Sequence, residues 1–122
     1  MKIAVASKGE TLSSRVDERF GRCPYFLVLD TTSMTIEAIE NPGLKEKNAA
    51  GIRSCQMLID MDIDAVVVKN VGHNVFVTLT GAGMDVYTVK SGTVKAAIEL
   101  LKRGELSIVE HPTVGFQEGL DK

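Results

Sequence analysis

Cysteine is scarce in this chain: two residues, Cys23 and Cys55, among 122. Two thiols cannot make the disulfide framework of a small secreted scaffold, nor a structural zinc site built mainly of cysteine within one chain. Tryptophan is absent and aromatics make up only 5%, which leaves little for a platform that stacks bases or sugars. An excess of one charge is lacking too. Lys and Arg total 14 against 16 Asp and Glu, a net −2, so no nucleic-acid partner is expected. No apolar run approaches the roughly 20 residues of a membrane span, and the run near the start is too short for a signal peptide. A cytoplasmic protein with reduced thiols and no membrane partner is expected.

The remainder is ordinary for a globular domain: 44% apolar and 25% charged residues. One domain of this length buries about two thirds of its unfolded surface and needs no metal or disulfide to hold its core. Ile3–Ala6 reads as a short buried strand that runs into Ser7-Lys8-Gly9. Residues 8–24 are polar, charged and glycine-containing, and read as a long loop with room for a helical turn. A loop of that length in a compact domain is often functional, and its glycine and charge content predicts a mobile segment.

Tyr25–Asp30 and Met34–Glu40 read as a β-hairpin around the turn residues Asp30-Thr31-Thr32-Ser33. Asn48–Met61 has helical period, with Ile52, Cys55, Leu58 and Ile59 on one face. Asp64–Val68 is a β-branched run, hence a buried central strand. Val71-Gly72-His73-Asn74 follows as a tight turn. Val75–Thr80 is β-branched, yet the spacing of Val75, Leu79 and Ala82 favours a short helix. Met84–Val89 is the next strand. Thr93 is placed to cap a helix with Val94, Ala97, Ile98 and Leu101 on one face, and Gly104 to end it. The order βββαβαβα predicts an α/β fold with one mixed, mostly parallel five-stranded sheet, opened by the hairpin and covered by helices. Residues 107–122 have no period and read as a mobile or loosely docked tail after a domain of residues 1–106.

Ligands of open α/β sheets sit beyond the carboxyl ends of the strands. The loops that gather there carry Ser7-Lys8-Gly9, Val71-Gly72-His73-Asn74 and Lys90-Ser91-Gly92-Thr93. Two lead directly into helices, whose amino ends favour an anion. The long loop adds Arg15, Arg19 and Arg22, but Glu10, Asp17 and Glu18 leave it only one positive charge in excess with Lys8 counted. An anion-binding loop and a solvated loop with internal ion pairs both fit.

Cys23 closes that loop outside any apolar period. Near arginines its thiolate would be an acidic, soft-metal ligand; the alternative is a partly buried, inert thiol. Cys55 belongs to a core face. His73, at a helix start, is either a metal or anion ligand or a solvent-facing turn residue. His111 has no evident role. The first strand has no carboxylate for a two-metal nuclease. No nucleophile elbow, P-loop or dinucleotide fingerprint occurs, and Gly81-Ala82-Gly83 ends a helix rather than opening one. A Cys23–His73 nucleophilic pair is conceivable but has no evident third, orienting group.

Arg19-Phe20-Gly21-Arg22-Cys23-Pro24-Tyr25-Phe26 resembles the His-Phe-Gly-Arg-x-x-x-Phe signature of the dinitrogenase iron–molybdenum cofactor-binding family, with Arg19 at the place of the His. Glu40-Asn41-Pro42, Ala50-Gly51-Ile52, Asp64-Ala65-Val66-Val67-Val68 with Val71-Gly72, and Gly92-Thr93-Val94 extend the likeness in order over about residues 1–106. The resemblance implies a ribonuclease H-like three-layer α/β/α fold without nuclease chemistry. It also implies an accessory protein, not an enzyme, that binds an iron–sulfur or iron–molybdenum-type cofactor or its precursor and hands it on.

Such a cofactor is anionic and takes thiolate or imidazole ligands. On that basis Cys23 and His73 are the candidate metal ligands. Arg19 and Arg22 would balance charge, and Ser7, Gly72 and Asn74 would offer polar contacts. The partners would be cofactor-biosynthesis or acceptor proteins, and the chain a monomer or weak dimer. Two other readings are a regulatory module that takes a small anion or a protein at the same edge, and a thiol-dependent enzyme using Cys23.

Overall fold

A computed structural model describes residues 1–47 and 49–113. Among these residues, six strands and three helices follow in order: β1 (Lys2–Ser7), β2 (Tyr25–Asp30), β3 (Thr35–Glu40), α1 (Ala50–Asp60), β4 (Ala65–Val68), α2 (His73–Gly81), β5 (Asp85–Thr88), α3 (Val94–Lys102) and β6 (Ser107–Ile108). Two 3-10 turns, Phe20–Arg22 and Pro42–Lys45, interrupt the loops before β2 and α1. The sheet order is β3-β2-β1-β4-β5-β6. β1, β4 and β5 are parallel neighbours, whereas β2 and β6 run against theirs.

The sheet has six strands where five are expected from the sequence. The sixth, β6, comes from the segment read as a tail, and pairs Tyr87 with Ile108 and Thr88 with Ser107. The Val109 N–H also donates to the Val86 carbonyl at 2.7 Å, and Thr113 exchanges hydrogen bonds with Val71. Residues 114–122, the rest of that tail, lie outside the described residues, as does Asn48 at the expected start of α1.

Strand alternation divides the core in two. Ala4, Ala6, Phe26, Val28, Val66, Val68 and Val86 face α1 and α2, joined by Cys55, Leu58 and Leu79. Ile3, Val5, Leu27, Leu29, Ala65 and Val67 face α3, through Val94, Ala97 and Ile98. β1 and β4 are buried on both faces, which is why they read as continuous apolar runs rather than alternating ones. The helix chosen for the β-branched stretch after the Val71-Gly72 turn is present as α2. Thr78 and Thr80 settle into it by donating to the Asn74 and Phe76 carbonyls, both at 2.7 Å. No helix among the described residues is long and apolar enough to cross a membrane.

The topology places the chemistry. β1, β4 and β5 end at one edge of the sheet, β3 ends there too, and all three helices begin there after the connecting loops. The loop of residues 8–24 is woven into this edge rather than left hanging from it. Ser7 bridges Val16 and Arg15 bridges Thr93. The Val16 N–H donates to the Gly92 carbonyl at 3.0 Å, and the Asp17 N–H to the Ala6 carbonyl at 2.9 Å. These backbone ties join residues 15–17 to the end of β1 and the loop before α3, contacts that the loop's glycine and charge content do not signal.

Candidate functional site

The carboxyl edge is built on three helix starts with different caps. Thr93 caps α3 with its side chain, accepting from the Ala96 N–H at 3.2 Å. α2 opens after Gly72 and α1 after Ala49, neither with a side-chain cap. Amino-terminal N–H groups without such a cap carry the partial positive charge of the helix and suit an anion. His73 and Asn74 form the first turn of α2 and are exposed. Gly72 lies just before them, half-buried, and its carbonyl accepts from Phe76.

Two cations flank this edge on exposed, weakly held side chains. Lys8 leaves β1 and Lys69 leaves β4. Both ammonium groups lie 3.9 Å from Glu18 Oε2. Arg19 sits nearby with a more definite partner. Its backbone N–H donates to Asp17 Oδ1 at 2.9 Å, and its guanidinium meets both carboxylate oxygens at 3.3 and 3.4 Å. The Asp17 side chain is buried while that of Arg19 stays exposed. The hydrogen bond and charge of Asp17 raise the Arg19 pKa above its ordinary value, so the guanidinium remains charged at any working pH.

The other expected site residues turn inward. Arg22 Nη1 donates to the carbonyls of Leu44 and Glu46, and Nη2 to that of Lys47 at 3.3 Å. Arg22 thus ties the loop before β2 to the loop before α1. Ser7 is fully buried, and its hydroxyl donates to the Gly9 carbonyl at 2.7 Å and accepts from the Gly9 N–H at 3.2 Å.

Cys23 departs furthest from the surface reading. It is 0% exposed, packed in the core beneath α1 and α2. Its thiol donates to the Phe20 carbonyl at 3.3 Å. Burial, and then the charge of Asp17, push its pKa up to about 12. At neutral pH it is a thiol and no ready nucleophile or thiolate ligand. Cys55 lies in the same core, as its helical face predicts, and burial pushes it up to about 12 as well. A thiol enzyme built on Cys23 has no activated sulfur here. Among the described residues, no group of three or more His, Cys, Asp or Glu is placed to hold a metal ion.

The residue that organises this corner is Asn41. Its amide donates to the Cys23 carbonyl at 2.9 Å and the Gly21 carbonyl at 3.2 Å, with longer contacts to Phe20 and the Cys23 sulfur. Its oxygen accepts from the Gly43 N–H at 2.9 Å and the Ser54 hydroxyl at 2.6 Å. A Cβ on Gly21 would stand 2.7 Å from the backbone nitrogen of Gly51. The missing Cβ of Gly21 therefore lets the Phe20–Arg22 turn lie directly on the start of α1. Asn41 and Lys69 are the important residues that sequence reasoning passes over. Asn41 offered the Asn-Pro-Gly turn as a signal, and Lys69 its place just after a doubly buried strand.

These features define a class: a mixed α/β domain whose parallel strands and helix starts converge on one cationic edge. A family model described as dinitrogenase iron-molybdenum cofactor matches residues 1–104, and the chain belongs to that family. Among solved structures, it is similar to the apo form of the orange protein from Desulfovibrio gigas. The two share 30% identity and a TM-score of 0.88, over 93% of this chain and 96% of that one. A candidate NifB protein from Thermotoga matches at 36% identity and a TM-score of 0.77, over 88% of this chain and 91% of that one. A curated relative, an uncharacterized protein of Methanocaldococcus jannaschii, is 27% identical over 101 residues, covering 80% of this chain and 86% of its own length.

Proposed function

We propose that this protein is a non-enzymatic accessory protein that holds an anionic iron–sulfur or iron–molybdenum-type cofactor, or its precursor, at the carboxyl edge and passes it to an acceptor protein. The observation that carries this reading is the convergence of Lys8, Arg19 and Lys69 with the start of α2 on one edge. Membership in a family named for the iron–molybdenum cofactor supports it, and the helices on both faces of the sheet support the ribonuclease H-like reading of the fold.

Charge and hydrogen bonding hold the cargo. Lys8, Lys69 and Arg19 meet its negative charge, the amino end of α2 with Gly72 and Asn74 gives N–H and amide contacts, and His73 is the candidate imidazole ligand. Cys23 is left out because its protonated sulfur is inside the core. Arg22 and Ser7 shape the site through backbone partners instead of touching cargo. Such a site suits transfer, because ion pairs at an exposed edge are weak and reversible. A cytoplasmic protein, monomeric or weakly dimeric, fits this role.

Anaerobic reconstitution with iron, molybdate and sulfide, followed by desalting, tests it. The expected result is retained visible charge-transfer absorption that falls with rising salt. It falls several-fold in a Lys8→Ala/Lys69→Ala variant and persists in a folded Cys23→Ala variant. A colourless product overturns the carrier reading. Loss of colour on Cys23→Ala alone would return the sulfur to the ligand set.

A further inference from the structure

Two neighbouring carboxylates of the long loop have opposite situations. Asp17 is 1% exposed and grips Arg19 through three hydrogen bonds. Glu18, the next residue, points into solvent and touches Lys8 and Lys69 at 3.9 Å each. Its side chain is 50% exposed, and those of the two lysines 47% and 39%. The backbone beneath it is held, because Val16 and Asp17 both bond to the sheet end. The Glu18 side chain can therefore move without disturbing the fold. Lys8 and Lys69 leave β1 and β4, which lie side by side, so one carboxylate spans the exits of two adjacent parallel strands.

We propose that Glu18 is a resident counter-anion of the carboxyl edge, pairing Lys8 and Lys69 when the edge is empty and yielding them to anionic cargo. The proposal rests on the carrier reading and adds how loading and release are set. Two ammonium groups brought together without a carboxylate would repel. Glu18 relieves that repulsion in the empty protein and so stabilises the unloaded state. A multiply charged iron–sulfur or iron–molybdenum-type cluster has several sulfur atoms and can meet both lysines, but only if the carboxylate swings aside. When the cargo leaves, Glu18 returns. The exchange lowers affinity and favours release. A pair this exposed is worth little by itself, as a reversible latch requires.

The test uses the full chain and the tetrathiomolybdate dianion at low salt. First, carbodiimide coupling of the ligand-free protein reads the contact. The activated Glu18 carboxyl is attacked by a lysine amine, an amide forms, and the urea departs with the carboxyl oxygen. Mass spectrometry is expected to find Glu18 joined to Lys69 and to Lys8. Second, Glu18→Gln is expected to tighten tetrathiomolybdate binding about three- to tenfold. Glu10→Gln, the same charge change in the same loop, is expected to alter it less than about twofold. In a Lys8→Ala/Lys69→Ala background the Glu18→Gln gain should vanish, because coupled groups are not additive.

Absence of both cross-links overturns the inference. So does a Glu10→Gln gain equal to that of Glu18→Gln, or a gain that survives removal of the lysines. Each of these leaves the carrier reading standing if tetrathiomolybdate binds. Failure of every form, Glu18→Gln included, both to bind tetrathiomolybdate and to hold colour on anaerobic reconstitution overturns both.

Discussion

Asn41→Ala is the sharpest test of how the edge is held. The side chain is buried, and its amide bonds span three segments: the turn at Phe20–Cys23, the turn at Gly43, and α1 at Ser54. Truncation removes the 2.9 Å donor of the Cys23 carbonyl and the 2.9 Å acceptor of the Gly43 N–H. Each buried group that loses its partner costs about 1–3 kcal/mol, and the small void adds about 1 kcal/mol. Ser54 loses less, since its hydroxyl also donates to the Ala50 carbonyl at 3.0 Å. The expected loss is about 3–7 kcal/mol, a large share of the roughly 5–15 kcal/mol that holds a typical domain. Urea unfolding reads this as a lower midpoint at unchanged slope. Asn41→Asp is a stricter variant of nearly the same shape. It sets a carboxylate oxygen against the carbonyls of Cys23 and Gly21, so it should be at least as damaging at neutral pH and recover partly in acid, where the carboxyl can donate. Ser54→Ala should cost only about 1 kcal/mol. An Asn41→Ala loss below about 1 kcal/mol, or an Asn41→Asp protein as stable as the wild type at neutral pH, would refute the assignment of Asn41 as the centre of this corner.

Three further outcomes follow from the same interior. Neither thiol should react with a disulfide reagent in native protein at neutral pH, and both should react once urea unfolds it; prompt native labelling of Cys23 would contradict its burial. Alkali should erode stability through these thiols. Their pKa rises from 9.0 to about 12 on folding, so between those values the unfolded chain sheds protons that the folded one keeps, and stability falls as pH rises. The stability gap between wild type and Cys55→Ala should therefore stay constant below pH 9 and narrow by about 1.4 kcal/mol per unit above it; a gap that ignores pH would refute this. Gly21→Ala should cost about 2 kcal/mol or more by calorimetry, since its Cβ would meet the Gly51 backbone at 2.7 and 3.0 Å; a neutral effect would show that the turn does not rest on α1.

Elements with a strong local signal were legible in the sequence. Ile3–Ala6 and Ala65–Val68 announce central strands because both their faces are covered, and Thr93 marks the start of α3 with a side-chain cap. β6 was not legible. It is two residues long, and its reason to be a strand is the free side of β5, which lies far back in the chain. Cys23 was misleading for a related reason. Its chain neighbours are Arg22 and Pro24, so the local pattern suggests a loop surface, whereas Phe20, Phe26 and Asn41 close over it in three dimensions. Arg22 shows the limit for charges. Its partners are backbone carbonyls of residues 44–47, and no side-chain pattern encodes those. The gathering of loops at one edge was legible, because strand order alone dictates it. The sorting of charges within that edge into fixed and exchangeable ones was not.

That sorting bears on how one edge can be both preformed and weak. Preformation comes from groups that no cargo has to touch: the bridges of Ser7 with Val16 and of Arg15 with Thr93, the Asn41 node, and the grip of Asp17 on Arg19. Weakness comes from the outer layer, where Lys8, Glu18 and Lys69 stand in water with contacts of 3.9 Å. A thiolate at the edge would work against transfer, since it would hold a soft metal tightly and invite oxidation. Keeping both sulfurs in the core as thiols avoids this. The scarcity of cysteine and its burial then serve the same end. For the proposed carrier they would leave electrostatics, tunable by a single carboxylate, as the means of taking up and giving away cargo.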